Sequence, residues 1–152
     1  MRRLVALLVL TLTTGAHSRA ARGAGAAVGS EDRLRVRVVG LRNDNGDVCC
    51  SLFSSAEDFP ANGDLLAQTV TAPITDRTAV CEFSAIAPGT YAVVLFHDEN
   101  SNGKFDRNWL GLPKEGYGFS NDAPTRWHAP RFDAASFPFT GGISEILVHI
   151  RY

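Results

Sequence analysis

Apolar and polar residues alternate along several short runs of this chain, the period of two that turns one face of a β-strand inward and the other to water. Leu34, Val36 and Val38 alternate with Arg35 and Arg37. Asn43-Asp44-Asn45-Gly46 then turns the chain into Val48-Cys49-Cys50-Ser51-Leu52-Phe53, since Asn and Gly tolerate the left-handed backbone of a tight turn. A long polar connection follows through Phe59-Pro60 and Asn62-Gly63-Asp64, and residues 68–74 and 78–83 are weaker strand candidates. Ala87-Pro88-Gly89-Thr90 leads into Tyr91-Ala92-Val93-Val94-Leu95-Phe96, a β-branched and aromatic run that predicts a strand. Near the C-terminus Ile146, Val148 and Ile150 alternate with Leu147, His149 and Arg151. No stretch carries the 3.6-residue period of an ordinary helix, and Asp133-Ala134-Ala135-Ser136 makes one turn at most. Six or seven strands with frequent turn signals predict an all-β fold. Residues 33–152 are expected to form a single-domain β-sandwich, immunoglobulin-like or transthyretin-like, with long ordered loops.

The start of the chain has a different pattern. Arg2-Arg3 precede an apolar run over residues 4–12, followed by Thr13-Thr14-Gly15-Ala16-His17-Ser18-Arg19-Ala20. Residues 1–20 read as a secretory signal peptide. The run is shorter than the roughly 20 residues that span a bilayer, so no transmembrane anchor is expected. Residues 21–32 read as a flexible Gly/Ala-rich leader. The expected location is periplasmic or secreted. Removal of residues 1–20 takes away Arg2, Arg3 and Arg19 and no acid, leaving 12 basic against 16 acidic residues, a net charge of −4. Nucleic acid is not an expected partner, because phosphate binding needs a concentrated basic patch. Arg33, Arg35 and Arg37 are the one dense group, and their alternation reads as a solvated strand face.

One segment carries recognisable ion chemistry. Asp98-Glu99-Asn100-Ser101-Asn102-Gly103-Lys104-Phe105-Asp106 places oxygen-bearing side chains at alternate positions, then a glycine, then a further carboxylate. Calcium takes six to eight hard oxygen ligands, and a tightly turning chain can aim alternate residues at one point. Asp98, Asn100 and Asn102 would supply side-chain oxygens, Lys104 its backbone carbonyl, and Asp106 a ligand directly or through water. The loop departs from a helix-loop-helix calcium motif in two ways. Trp109 holds the place of the closing bidentate Glu, and a strand rather than a helix enters it. The missing carboxylate could come from Glu99, Glu115 or Asp122, with Glu115 favoured. A bare Asn-Gly hairpin is the competing reading, but it gives no reason to gather Asp98 and Asp106 around one turn, where like charges repel. With few formal charges in the shell, calcium affinity is expected in the weak extracellular range, about 0.1 to 1 mM.

An oxidising compartment changes the meaning of Cys49, Cys50 and Cys81. Adjacent cysteines hardly bond each other, so a bridge must use Cys81. Strand alternation favours Cys50, which shares a face with Val48 and Leu52. Such a bridge would contribute roughly 3 to 4 kcal/mol on the chain-entropy model. Cys49 is then an odd thiol, and no zinc or Cys-x-x-Cys spacing occurs.

The stretch from Leu110 to Pro130 is rich in glycine, proline and aromatics and reads as a defined loop beside the ion segment. Trp109, Tyr117, Phe119 and Trp127 could present an aromatic surface to a sugar, a peptide or an envelope protein; the alternative is that they cap the sandwich. His97 beside Asp98 invites a general-base or metal role, yet His128 and His149 lack ligand spacing to it. Ser101 and Ser120 sit in no nucleophile elbow, so no catalytic residue is assigned.

Three linked motifs resemble a bacterial family of small exported proteins catalogued as domain of unknown function 2141. They are Pro88-Gly89-Thr90-Tyr91-Ala92-Val93, then Phe96-His97-Asp98-Glu99-Asn100-x-Asn102-Gly103-Lys104-x-Asp106, then Leu110-Gly111-Leu112-Pro113-x-Glu115-Gly116-Tyr117-Gly118-Phe119-Ser120-Asn121. Similarity is looser over residues 46–53 and covers roughly residues 34–152. The resemblance implies export and a β-rich domain, and supplies no reaction, substrate or catalytic residue. The cysteines lie outside its pattern. The function expected from these readings is a calcium-stabilised binding or structural module of the cell envelope. The alternative is a metal-dependent hydrolytic enzyme using the Asp98 to Asp106 loop and His97.

Overall fold

Eight strands follow one another among the described residues: β1 (Arg33–Val39), β2 (Asp47–Phe53), β3 (Leu66–Pro73), β4 (Thr78–Ser84), β5 (Gly89–Asp98), β6 (Tyr117–Phe119), β7 (Phe137–Phe139) and β8 (Ile143–His149). A 3-10 turn (Ser120–Asp122) and one helical turn, α1 (Phe132–Ala135), lie between β6 and β7. This computed structural model describes residues 31–57, 59–60, 66–125 and 128–152. The signal peptide expected over residues 1–20, the leader as far as residue 30, and Trp127 lie outside the described residues. Asp32 is buried, accepts the Gly142 N–H at 2.6 Å on its side chain, and accepts the Ala85 N–H on its carbonyl.

The strands form two packed sheets, the all-β sandwich expected. One has the order β4-β1-β8 and the other β3-β2-β5-β6, with β7 pairing along the start of β5. β1 runs antiparallel to β4 and parallel to β8, so that Val36 faces Cys81 on one side and Ile146 on the other. In the immunoglobulin order the first strand pairs with the second. Here β1 pairs with β4 and β8 instead.

Alternation puts Leu34, Val36 and Val38 of β1 in the core against Val48, Cys50, Leu52, Cys81, Phe83, Val93, Leu95 and Val148. The opposite face of β1 carries the arginines, and neighbouring strands supply their acids. Arg33 and Arg35 both reach Glu82, at 3.1 and 2.9 Å, and Arg37 reaches Glu145 at 2.9 Å. The basic group is therefore a solvated, ion-paired strand face on which three arginines share two glutamates, and such exposed pairs contribute little stability. Cys50 on β2 and Cys81 on β4 lie at disulfide distance, with Cα atoms 6.4 Å apart, and join the two sheets through the core. Cys49 points away from that core and stays free. Burial pushes its thiol pKa up, which makes it a weaker nucleophile.

β5 is buried on both faces, which is why it reads as a continuous apolar run rather than an alternation. Tyr91, Val93 and Leu95 face the sandwich core. Ala92 and Val94 face a second cluster made with Phe59, Tyr117, Phe119, Ala123, Phe132 and Ala135. Ser120 fastens that outer layer to the sheet. Its buried hydroxyl accepts the Val93 N–H at 2.8 Å and donates to the Ala135 carbonyl at 2.5 Å.

Candidate functional site

The end of β5 delivers His97 and Asp98 to the top of the sandwich, and β6 brings the chain back beside it. Val94 pairs with Phe119 and Phe96 with Tyr117, and the His97 N–H donates to the Gly116 carbonyl at 2.8 Å. Residues 99–116 are thus a closed excursion from adjacent strands. Gly46, at φ 68°, underlies its root, where a β-carbon would collide with the Asp98 backbone.

Within the excursion the oxygen-bearing side chains organise the backbone. Asp98, only 2% exposed, accepts the N–H groups of Asn102 at 3.0 Å and Gly103 at 2.6 Å. Asn100 accepts the same Asn102 N–H at 3.1 Å, and Asn102 accepts the Lys104 N–H at 2.7 Å. The amide groups of Asn100 and Asn102 both donate to Oδ2 of Asp106, at 2.8 and 3.2 Å. Gly103 adopts φ 70°, the left-handed conformation the turn requires.

Among the three carboxylates considered for completing the loop, only Glu115 stands against it. Its Oε2 accepts the Asp106 N–H at 3.0 Å, while the Lys114 N–H donates to the Asp106 carbonyl at 3.0 Å. Glu115 is 5% exposed, and its Oε1 has no hydrogen-bond partner among the described residues. Glu99 instead pairs with Arg42 and accepts from Asn43 at 3.1 Å. Burial pushes the Glu99 carboxyl pKa up, but the Asn43 and Arg42 contacts outweigh it and leave the pKa below the usual value. Asp122 lies elsewhere and holds His149 by both its backbone and ring nitrogens. Its pKa is likewise lowered, burial opposing and the His149 contacts prevailing. Among the described residues no three His, Cys, Asp or Glu side chains are grouped so as to hold a metal ion.

His97 is fully buried beneath the loop, with both ring nitrogens occupied. Nδ1 is 2.6 Å from the Tyr152 hydroxyl and Nε2 is 2.7 Å from the Asn45 carbonyl. The Tyr152 oxygen accepts the Arg42 N–H at 3.1 Å, and the Arg42 guanidinium lies 4.5 Å over the Tyr152 ring. The Asn45 carbonyl can only accept, so Nε2–H donates to it, and in that tautomer Nδ1 accepts the Tyr152 hydroxyl proton. Arg42 and Tyr152 gave no signal in sequence, because nothing local marks a contact across so many residues.

The proposed aromatic surface separates into two parts. Tyr117 and Phe119 pack edge-to-face at 6.2 Å and continue a chain of rings through Phe105 and Phe59. Trp109 is 90% exposed and makes no ring contact among the described residues. A groove of about 380 Å³ runs beside Tyr117 and Phe119, lined also by Phe105, Arg107, Leu112 and His128. Its size lies within the range of small-molecule sites. Phe105 and Arg107 were not singled out in sequence; Arg107 covers the Phe105 ring at 5.0 Å.

A family model described as an uncharacterized protein conserved in bacteria (DUF2141) matches residues 36–146. No curated protein and no solved structure matches the chain significantly.

Proposed function

The chain belongs to this DUF2141 family of bacterial proteins, and on that premise we propose that it is an exported module of the cell envelope. In this reading it is a β-sandwich that binds or supports other envelope components, stabilised by calcium held in the Asp98 loop. The observation that carries the reading is Glu115, a buried carboxylate with one oxygen tied to the loop and the other without a partner among the described residues. A buried carboxylate oxygen without a partner costs free energy that a hard cation would offset. Asp98 and Asp106 would supply the remaining charge. Because the metal-ligating acids are not closely grouped, Asn100, Asn102 and the Lys104 carbonyl would have to complete the oxygen shell. Rotation of an Asn amide exchanges its nitrogen for its oxygen, so the two amides now turned to Asp106 are the groups that would move.

Export is supported by the apolar run and small residues of positions 1–20 and by the Cys50–Cys81 pair, whose bond persists outside the cytosol. A hydrolytic role for His97 has less support, since neither ring nitrogen is free. The groove beside Tyr117 and Phe119 is the place where a sugar or peptide would meet the module.

The test is the melting temperature in EDTA and across a calcium titration, with magnesium as control. A dissociation constant of about 0.1 to 1 mM and a binding-linked gain of RT ln(1 + [L]/Kd) predict a rise on the order of 5 °C at the top of a millimolar titration. Glu115→Gln and Asp98→Ala should abolish the rise. Absence of a calcium-selective shift in the wild-type protein would remove the calcium part of the reading.

A further inference from the structure

The turn at Trp109-Leu110-Gly111-Leu112 exposes its large apolar side chains while hydrogen-bonding much of its own backbone. Trp109, Leu110 and Leu112 are 90%, 61% and 57% exposed, an arrangement that soluble domains seldom keep without a use for it. The turn is nevertheless tightly specified. The Asn108 side chain accepts the N–H groups of Leu110 at 2.9 Å and Leu112 at 3.0 Å. The Asn108 N–H donates to the Leu112 carbonyl at 2.8 Å, and the Gly111 N–H to the Asn108 carbonyl at 2.9 Å. Arg107 reaches the Gly111 carbonyl at 3.1 Å, and Arg107 and Pro113 form an isolated bridge at the neck. Gly111, at φ 79°, permits the bend.

Charge at the tip is one-sided. Lys104, Arg107 and Lys114 are exposed and form no ion pair among the described residues. The nearby acids are turned inward, Asp106 taking the Asn100 and Asn102 amides and Glu115 the Asp106 N–H. A basic, apolar tip thus stands on a domain whose net charge is acidic.

We infer that the 107–113 turn is a membrane-interface anchor that seats Trp109, Leu110 and Leu112 at the headgroup boundary of an anionic bilayer, with Lys104, Arg107 and Lys114 on the lipid charge. Trp and Leu flanked by Lys and Arg is the composition that partitions to that boundary. Anionic headgroups attract exposed basic residues. Entry into a water-poor layer favours backbone groups that are satisfied internally, and the turn already pairs the N–H groups of Asn108, Leu110, Gly111 and Leu112 before any contact is made. The same saturation leaves few free backbone donors with which to specify a protein surface. A preformed turn also loses little freedom on docking. Association of this kind is peripheral; no helix of the described residues is long and apolar enough to cross a membrane.

The test is cosedimentation of the full chain with phosphatidylcholine vesicles, with and without phosphatidylglycerol, together with tryptophan emission. Wild type and variants share the same N-terminus, and binding is read as partition coefficients below saturation, so that their ratio reports the turn rather than residues 1–30. The expected result is binding to the anionic vesicles with a blue-shifted emission, weakened by salt. Affinity should fall about tenfold or more in the combined variant Trp109→Ser, Leu110→Ser, Leu112→Ser. Lys104→Glu with Lys114→Glu should remove the preference for anionic lipid. Should the triple variant not fold, Trp109→Ser alone carries the comparison, since that ring contacts no other ring among the described residues. No binding to anionic vesicles overturns the inference, and so does equal binding by wild type and triple variant. Self-association of the wild-type protein that is lost in the variant would assign the turn to a second copy of the chain and overturn it as well.

Discussion

The Tyr152 hydroxyl lies 2.6 Å from Nδ1 of His97, which joins the chain after β8 to the end of β5. The same oxygen accepts the Arg42 N–H, and Arg42 pairs with Glu99 at the start of the loop. Residues from three remote parts of the chain therefore hold the root of the Asp98 excursion. Tyr152→Phe should leave His97 Nδ1 and the Arg42 N–H without their partner and cost about 1 to 3 kcal/mol. Urea unfolding checks this, and an unchanged midpoint would show that water replaces the hydroxyl at no cost.

Glu99 makes the stability of this root depend on pH. Its folded-state pKa is depressed below the ordinary value of 4.5, burial opposing and the Asn43 and Arg42 contacts prevailing. A depressed carboxylate pKa contributes stability that is fully present above the unfolded value and lost as pH falls through the folded one. Wild type should therefore lose more stability on acidification from pH 4.5 downward than Glu99→Gln. Parallel stability curves for the two proteins would contradict this.

Reduction of the Cys50–Cys81 bond should destabilise the domain by about 3 to 4 kcal/mol, the chain-entropy value for a closed loop of this length, the cysteines being 31 residues apart. The double variant Cys50→Ala, Cys81→Ala should be insensitive to reductant, and Cys49→Ser should behave as wild type. Unfolding with and without dithiothreitol distinguishes these cases.

Ser120→Ala tests the fastening of the outer layer. The substitution leaves the Val93 N–H without its 2.8 Å acceptor and the Ala135 carbonyl without its donor, in a buried setting. A loss of about 1 to 3 kcal/mol is expected, with faster hydrogen exchange at Val93. Unchanged protection of that amide would show that the outer layer does not depend on Ser120.

Much of the sandwich was legible because strand faces are local. The alternation in residues 34–38 and the parity that sets Cys50 with Val48 and Leu52 depend only on near neighbours, and the structure follows both. The three-residue strands β6 and β7 were not anticipated. Neither is long enough to show a period, and each exists because β5 offers it an edge or a pairing partner.

The sequence by itself determined the six longer strand segments, the turns between them, and that the oxygen-rich residues of 98–106 fall in one excursion. It also determined the single-sheet-face chemistry of Arg33, Arg35 and Arg37, though not the acids that meet them. Tertiary structure alone decided that Glu115 reaches the loop while Glu99 turns to Arg42 and Asp122 to His149. It also decided that His97 is sealed by Tyr152 and that Trp109 stands clear of the Tyr117 and Phe119 rings. The physical reason is range. Periodicity records what each residue owes to the next turn or pleat of its own strand, whereas these contacts depend on the register in which β5 meets its partners.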